Sequence, residues 1–190
     1  MGSRTVALTE AQYDEILATM VKGFTGFRPN RRVAIALVLE GNLGLRISDI
    51  VKLRLSDIVW DGAQYRLDIT EQKTKKKRTF NVQNDIYKLI ADYCIDNGIG
   101  RNEIMFPITT RAVQKQLKLV CDYLGYEDIS THSFRKFCAT RIYNNSGHDI
   151  ELTSQFLQHS SVAVTQRYIG VSSAKMTAAI NSITRIPSLK

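Results

Sequence analysis

The chain has 190 residues and a formal net charge of +8 at pH 7, from 26 basic and 18 acidic side chains. This length suits one large domain with its own core and excludes two full domains. No run reaches the roughly 18 apolar residues of a membrane span, and the amino terminus lacks the basic-then-apolar pattern of a signal peptide. We therefore expect a cytoplasmic protein with no membrane span.

The excess of positive charge predicts a polyanionic partner, because neutralised phosphates release their counterions. Nucleic acid and an anionic membrane surface both fit, and an ordinary basic soluble protein is the alternative. The cysteines are odd in number and widely spaced, and each lies on the apolar face of a helical pattern: Cys94, Cys121 and Cys138. They are predicted to be buried reduced thiols, with neither a disulfide nor a zinc site.

A capping box predicts the first helix. Thr9 is followed by Gln12, a pattern in which each side chain satisfies a free backbone N–H group of the other residue, and an apolar stripe comes next. These features predict a helix from about residue 10 to residue 22. Residues 1–8, which open with Met-Gly-Ser, are expected to be a tag remnant and a linker.

A buried helix and a charged corner follow. Residues 31–40 are apolar on nearly every face, which is typical of a central helix, and Gly41 and Gly44 are predicted to end it. Arg46 then lies among apolar residues, where an unpaired charge is costly, so it requires an anion. Asp49, one helical turn later, is predicted to hold the Arg46 guanidinium from behind. A purely structural ion pair between these two residues is the alternative.

An antiparallel sheet is predicted between residues 58 and 83, where the apolar period changes to two. Asp61-Gly62 is a hairpin-turn pair. The last strand is predicted to begin at Thr79, after a basic turn from Lys73 to Arg78. The sequence therefore predicts three antiparallel strands whose second turn is made of lysines.

The basic turn has two interpretations. Lysine-rich turns are often only solvated tips. This turn is also able to reach into a groove toward DNA phosphates, which makes Lys75, Lys76 and Lys77 candidate DNA-binding residues. One lysine on so short a hairpin is a candidate proton donor.

The rest of the chain is predicted to be mainly helical, with capping residues that mark the helix ends. Helices are predicted after Asn84 or Asp85 as far as Asn97, after Thr109 or Thr110, after Thr131 as far as Asn144-Asn145, after Asp149, and from Ser172 to Ile183. The predicted fold class is α+β, mostly helical, with one small three-stranded antiparallel sheet.

A distinctive set of polar side chains lies on one of these helices and just after the next. His132 and Arg135 are three residues apart and share one helical face, His159 follows the next helix, and Tyr168 comes shortly after it. This set suits a reaction in which cations hold a phosphodiester oxyanion while a hydroxyl attacks phosphorus. No Walker-type glycine-rich loop and no carboxylate cluster for magnesium is visible in the sequence, so neither cofactor nor metal is expected.

Three segments carry a family resemblance. They are Gly44-Leu45-Arg46-Ile47-Ser48-Asp49, His132-Ser133-Phe134-Arg135 and Leu157-Gln158-His159-Ser160-Ser161, with Tyr168 behind them. In order and spacing they closely resemble the tyrosine recombinases, the integrases of phages and mobile elements. The resemblance covers the chain from about residue 9 to residue 183 and implies the catalytic-domain fold of that family.

The resemblance implies a role for each charged residue. Arg46 and Arg135 would clamp the non-bridging oxygens of the scissile phosphate, a task that suits a planar guanidinium. Lys73 would protonate the departing 5′ oxygen. Asp49 matches the acidic position that supports the first arginine.

Tyr168 would be the nucleophile, so that cleavage leaves a 3′-phosphotyrosyl intermediate and a free 5′ hydroxyl. His132 and His159 would hydrogen-bond the phosphate and assist proton transfer near Tyr168. A tyrosine hydroxyl has an ordinary pKa of about 10, so the surrounding cations would favour its phenolate.

Two positions depart from the family pattern. Gln158 stands where many relatives have glycine before the histidine, and the basic turn lacks the glycine that commonly follows Lys-Thr. The second departure leaves Lys75 as an alternative to Lys73 as the proton donor, with Lys73 favoured.

The resemblance also sets the expected partners. It implies double-stranded DNA and a homotetramer on two synapsed duplexes, or a monomer when the chain is alone. Residues 1–190 are expected to be one catalytic domain without the family's N-terminal DNA-clamping domain, in a bacterial or phage-infected cell. The alternatives are a type IB-like topoisomerase, a non-catalytic DNA-binding module and, more distantly, a phosphatase.

Overall fold

The computed structural model describes residues 5–169 of the chain. Its helices are α1 (Glu10–Lys22), α2 (Arg31–Leu43), α3 (Ile47–Ile50), α4 (Asn84–Asp96), α5 (Thr110–Leu124), α6 (Thr131–Asn145), α7 (Ile150–Leu157) and α8 (Val162–Ile169), and its strands are β1 (Ile58–Trp60), β2 (Tyr65–Thr70) and β3 (Lys77–Val82). The chain divides into two compact units, residues 1–141 and residues 142–190. The fold is α+β and mostly helical, as predicted.

The three strands form one antiparallel sheet in the order β1-β2-β3. In the turn after β1, Oδ1 of Asp61 accepts the backbone N–H groups of Ala63 and Gln64, both at 3.0 Å. The turn brings β2 back along β1, where the buried Leu67 lies opposite the buried Ile58. The predicted hairpin and the three-stranded sheet are confirmed.

The third strand begins earlier than predicted. Lys77 already pairs with Thr70 of β2, so β3 starts before Thr79. Arg78 is only 1% exposed, because its side chain lies on the same buried strand face as Val82. A run of basic residues gives no sign of such burial, which is why the sequence pattern assigns Arg78 to the turn.

Helix α2 is buried on nearly all sides, as predicted. Gly41 lies inside this helix and does not end it, so that part of the prediction is wrong. The ring of Tyr13 packs against Gly41, and a Cβ at this position would come within 2.7 Å of that ring. The helix ends at Leu43, where Gly44 adopts the left-handed conformation at φ 56°.

Three of the predicted capping residues are confirmed. The side chains of Thr9, Thr109 and Asp149 accept backbone N–H groups at the starts of α1, α5 and α7. Two other predicted caps are wrong: α4 follows Gln83 and not Asn84 or Asp85, and Thr131 is the first residue of α6. Polar residues are consecutive at both places, so the pattern does not determine which one ends the preceding segment.

The segment before α1 contacts the folded domain. Leu8 is buried in the core, and the carbonyl of Thr5 accepts a hydrogen bond from Nζ of Lys136. Residues 5–8, which the sequence assigns to a linker, are therefore anchored on α6.

The cysteines are buried free thiols, as predicted. The helix predicted from residue 172 to residue 183 lies outside the described residues. Between residues 5 and 169, no helix combines the length and the apolar character that crossing a bilayer requires.

Candidate active site

Arg46 stands at the corner between α2 and α3. Gly44 turns the chain at the end of α2, and Arg46 is the extended residue that precedes the first turn of α3. The Arg46 side chain is 17% exposed, and its Nη1 lies 2.6 Å from Oε2 of Glu71. Arg46 is thus paired with an anion, as its apolar surroundings require, but this anion is not Asp49.

Asp49 binds the backbone of the basic turn. Its Oδ1 accepts the N–H of Gln72 at 2.7 Å, and its Oδ2 is buried with no hydrogen-bond partner among the described residues. The Arg46–Asp49 ion pair expected from the sequence is absent from residues 5–169. Because Arg46 is extended and precedes α3, its guanidinium does not share a helical face with Asp49.

Several donors converge on the carboxylate of Glu71, which is fully buried. Its Oε2 accepts hydrogen bonds from Arg46 and from the hydroxyl of Thr74, and its Oε1 accepts from Nη1 of Arg78 at 3.0 Å. Burial raises the pKa of the Glu71 carboxyl, but these hydrogen bonds outweigh burial and bring the pKa below its ordinary value of 4.5. Glu71 is therefore an anion at neutral pH.

Sequence motifs do not single out Glu71 and Arg78, although the strand pattern carries a signal for both. The alternation that directs Leu67 of β2 inward continues in phase to Glu71, and Arg78 has the same phase as Val82 on β3. Opposite charges in the buried phase of adjacent strands are expected to pair, since an unpaired buried charge is costly. The structure contains this pair.

Two guanidinium groups bind the carbonyl groups at the end of α2. Arg78 and Arg135 both donate to the carbonyl oxygen of Gly44, and Arg78 also donates to that of Leu43 at 3.0 Å. These carbonyls lie at the negative end of the helix dipole and lack partners within the helix. Burial and the nearby charge of Arg135 lower the pKa of Arg78 to about 10, which leaves it cationic at neutral pH.

Glu40 is a second carboxylate that is fully buried, like Glu71, and it lies near Arg135. It lies on α2 and is fully buried, and neither of its carboxylate oxygens has a hydrogen bond of normal geometry within the described residues. Burial raises the pKa of the Glu40 carboxyl well above its ordinary value of 4.5, and the Arg135 charge and the Ile47 N–H offset only part of that rise. Motifs gave no indication of this group.

The charges around His132 identify a candidate site in the first unit. Although this side chain is exposed, the pKa of its imidazole is below the ordinary value of 6.5, first because of partial burial and then because of four nearby cations. In order of effect, the cations are Arg135, Arg46, Lys73 and Lys136. The first unit therefore brings four of the predicted catalytic residues within electrostatic range of one another.

The basic turn between β2 and β3 is exposed and internally hydrogen-bonded. The N–H of Lys75 donates to the carbonyl of Glu71, and the N–H of Glu71 donates to the carbonyl of Lys76, both at 3.0 Å. Lys75 has φ +57°, in the left-handed region that favours glycine. Lys73 and Lys77 are exposed, as are Lys75 and Lys76.

The second unit contains the other two predicted catalytic residues. Gln158 ends α7 in the left-handed conformation at φ 52° and turns the chain into His159. Nδ1 of His159 lies 2.8 Å from the hydroxyl oxygen of Thr165. The rings of His159 and Tyr168 meet edge to face, with centroids 5.0 Å apart. Tyr168 lies on α8, a helix that the sequence pattern does not predict.

These groups define what the two units can do chemically. The first presents guanidinium groups, an exposed ammonium and an imidazole, which can bind an oxyanion and exchange a proton. The second presents a phenol beside an imidazole, which is a nucleophile with a proton acceptor. Among residues 5–169, no group of three or more His, Cys, Asp and Glu side chains is placed to hold a metal ion.

Comparison with known proteins identifies relatives of the chain. The phage integrase family model matches residues 7–175. The chain is 32% identical over 149 residues to the probable integrase/recombinase YoeC of Bacillus subtilis (strain 168), a match that covers 75% of this chain and 79% of YoeC. It is 29% identical over 151 residues to the tyrosine recombinase XerC of Caldanaerobacter subterraneus subsp. tengcongensis, covering 74% of this chain and 41% of XerC. The chain thus spans most of YoeC and less than half of XerC.

Solved structures share the fold. The catalytic domain of bacteriophage HP1 integrase matches with a TM-score of 0.64 and 18% identity, over 94% of this chain and 95% of that one. The XerH site-specific recombinase, in a pre-cleavage complex with its difH substrate, matches with a TM-score of 0.69 and 17% identity, over 95% of this chain and 55% of that one. At these identities the likeness establishes the fold alone.

Proposed function

The chain belongs to the phage integrase family, and we propose that it is a site-specific tyrosine recombinase that breaks and rejoins double-stranded DNA. The observation that carries the proposal is that one hydrogen-bonded network joins Arg46 to Arg135, and that the charges of both arginines and of Lys73 act on His132. A phosphodiester in transfer needs fixed positive charge on its non-bridging oxygens and a proton donor for its leaving oxygen. These four side chains supply both.

The proposed reaction begins with attack by the hydroxyl oxygen of Tyr168 on the phosphorus of one strand. The bond from phosphorus to the 5′ oxygen breaks, and a 3′-phosphotyrosyl intermediate and a 5′ hydroxyl are formed. His159, whose ring contacts that of Tyr168, accepts the phenol proton. A 5′ hydroxyl of the partner strand then attacks the phosphotyrosine and restores the phosphodiester, so the bond energy is conserved and no ATP is consumed.

Arg46 and Arg135 hold the non-bridging oxygens in this proposal, and Lys73 protonates the departing 5′ oxygen. The left-handed conformation of Lys75 supports this choice of lysine. That conformation is the one for which glycine is favoured, so Lys75 matches the family glycine and Lys73 matches the family lysine.

We propose double-stranded DNA as the partner and a homotetramer on two synapsed duplexes as the active assembly, in the cytoplasm of a bacterial or phage-infected cell. Relatives support the choice of DNA: XerH was solved with its difH substrate, and lambda integrase as a dimer on a COC′ core site. The net charge of +8 and the exposed Lys75, Lys76 and Lys77 are consistent with phosphate contacts.

Covalent capture tests the proposed function. The protein is incubated with supercoiled DNA at low salt, denatured with detergent and examined for a protein–DNA adduct. The variants are Tyr168→Phe and a matched control, Tyr143→Phe, because Tyr143 is in the same unit and also meets a histidine ring, His148, edge to face. We expect an adduct with the wild type and with Tyr143→Phe, and none with Tyr168→Phe.

The other outcomes separate the alternatives. An adduct with Tyr168→Phe would show that another residue is the nucleophile. Adduct formation with relaxation of the DNA, but without exchange between two DNA molecules, would favour a type IB-like topoisomerase. DNA binding without any adduct would favour a non-catalytic DNA-binding module.

A further inference from the structure

Each carboxylate oxygen of Glu71 forms an ion pair with a different arginine. Its Oε2 lies 2.6 Å from Nη1 of Arg46, and its Oε1 lies 3.0 Å from Nη1 of Arg78. Within residues 5–169, no other carboxylate forms an ion pair with Arg46. Because Glu71 is fully buried, water does not compete for either contact, and the direction of the Arg46 guanidinium is fixed from one side.

Glu71 also organises the turn that carries Lys73. The Thr74 hydroxyl donates to the same Oε2 at 2.9 Å. The backbone of Glu71 is bonded to Lys75 and Lys76, both at 3.0 Å, which closes the turn around Lys73. A displacement of Glu71 would therefore move Arg46 and Lys73 together.

Arg78 connects this carboxylate to the second arginine of the proposed site. It donates to Glu71 and, at 3.2 Å, to the carbonyl of Gly44, which also accepts from Arg135. Consecutive polar contacts thus run from Arg46 through Glu71, Arg78 and Gly44 to Arg135. The two arginines assigned to the phosphate share one buried support.

Stability alone is a weak explanation for this network. Replacing a buried ion pair with apolar residues of similar volume is often neutral or stabilising. The network does supply direction, because Glu71 engages Arg46 through Nη1 while part of the Arg46 side chain remains exposed. The remaining guanidinium N–H groups can then make a charge-assisted contact with a phosphate.

We propose that Glu71 is a positioning residue for strand cleavage, which holds the Arg46 guanidinium and the Lys73 turn in the arrangement that the scissile phosphate requires, with Arg78 as its buried counter-ion. This proposal rests on the recombinase activity proposed above. Glu71 acts through Arg46 and not by contact with DNA. It thereby takes the supporting role that the sequence assigns to Asp49.

Loss of the Glu71 charge should therefore affect the rate of cleavage more than the affinity for DNA. Misplacement of a reacting group by about 1 Å can lower a rate on the order of 100-fold. We expect Glu71→Gln, which keeps the shape of the side chain, to lower the rate of adduct formation at saturating DNA by about that factor. The DNA concentration at half-saturation should change by less than about threefold, since the interaction lost is made in the transition state.

The test measures the initial rate of adduct formation against the concentration of supercoiled DNA. The matched control is Asp96→Asn, which removes a carboxylate from an exposed 2.8 Å pair with Arg31 at the opposite end of α2 and should keep the wild-type rate. Arg46→Lys and the double variant Arg46→Lys/Glu71→Gln complete a double-mutant cycle. If Glu71 acts through Arg46, adding Glu71→Gln to Arg46→Lys should cost far less than Glu71→Gln costs alone.

The outcomes are distinct. No adduct with the wild type would overturn the proposed function itself. An adduct with the wild type and an equal rate with Glu71→Gln would overturn the positioning role, and additive effects in the cycle would overturn its action through Arg46. If Glu71→Gln does not fold, Glu71→Asp replaces it: its shorter side chain cannot span both arginines, so its rate should fall at least about tenfold, and a wild-type rate would overturn the proposal.

Discussion

Arg135 donates a hydrogen bond to the backbone carbonyl of Gly44, although the two residues are 91 positions apart in the sequence. The carbonyls at the end of a helix have no intrahelical partner, and here guanidinium groups from two other elements bind them. The groups that line the proposed site therefore also complete the end of α2. Stability and activity should respond to the same substitutions in this region.

Arg78→Met should destabilise the fold strongly. The substitution leaves Glu71 without its buried counter-ion and removes the Arg78 hydrogen bonds to the carbonyls of Leu43 and Gly44, of which Gly44 keeps only the bond from Arg135. Breaking a buried ion pair in this way costs about 3–5 kcal/mol of unfolding free energy. Urea unfolding should show a lower midpoint with an unchanged slope. Arg66→Met on the exposed face of β2 is the control, and equal midpoints for the two variants would contradict the prediction.

Glu40→Gln should become more stable than the wild type as the pH rises. Because the folded pKa of Glu40 is raised above 4.5, its contribution to stability is present below pH 4.5 and is lost as the pH rises through the folded pKa. Glutamine does not titrate, so the difference in unfolding free energy should shift in favour of Glu40→Gln from pH 4.5 upward. The measurement is urea unfolding from pH 4 to pH 8, with exposed Glu127→Gln as the control. A difference that does not vary with pH would exclude this effect.

Lys73→Met should raise the pKa of His132. Lys73 is one of the cations that lower this pKa, so removing its charge makes protonation of the imidazole easier. Titration of the His132 ring by NMR measures the midpoint directly. Lys76→Met, in the same turn, is the matched control and should leave the midpoint close to that of the wild type. Equal midpoints for the wild type and Lys73→Met would place Lys73 outside the site.

Affinity for DNA should fall steeply with salt, and the basic turn should account for part of the slope. Each phosphate-bound lysine that is removed lowers the slope of log affinity against log salt by about 1, as we expect for Lys75→Ala and Lys76→Ala. Lys22→Ala is the control, because Lys22 lies at the other end of α2 from Gly44. The carbonyl of Met20, near Lys22 at the end of α1, accepts the N–H of Asn30, which precedes α2. Unchanged slopes for both turn variants would identify the turn as a solvated tip.

Patterns of period and capping were sufficient to predict the mostly helical fold and the sheet, whereas the candidate catalytic residues came from the family resemblance. They were not sufficient to predict the partner of Arg46. The pairing of Glu71 with Arg46 depends on how the turn folds over α3, and no local spacing in the sequence encodes that contact. Asp49 is nearer in sequence, but the extended conformation of Arg46 directs it elsewhere.

The two departures from the family's glycines have a common structural context. Lys75 and Gln158 both adopt the left-handed conformation, at φ 57° and 52°, where an ordinary side chain is strained and glycine is not. At both positions this chain therefore keeps the backbone conformation that glycine favours, although neither residue is glycine. A sequence pattern shows that glycine is missing, but only the backbone angles show that the turn is kept.

The sheet contains an intrinsic fluorophore. Trp60 is the single tryptophan of the chain; it is 54% exposed on β1, and its ring meets that of Tyr65 on β2 edge to face at 5.1 Å. Indole emission therefore reports on the strand that leads directly to Glu71, whereas far-ultraviolet circular dichroism follows the helices. If the tryptophan fluorescence changes at a lower urea concentration than the circular dichroism, the hairpin opens as a separate local unit before the helices unfold.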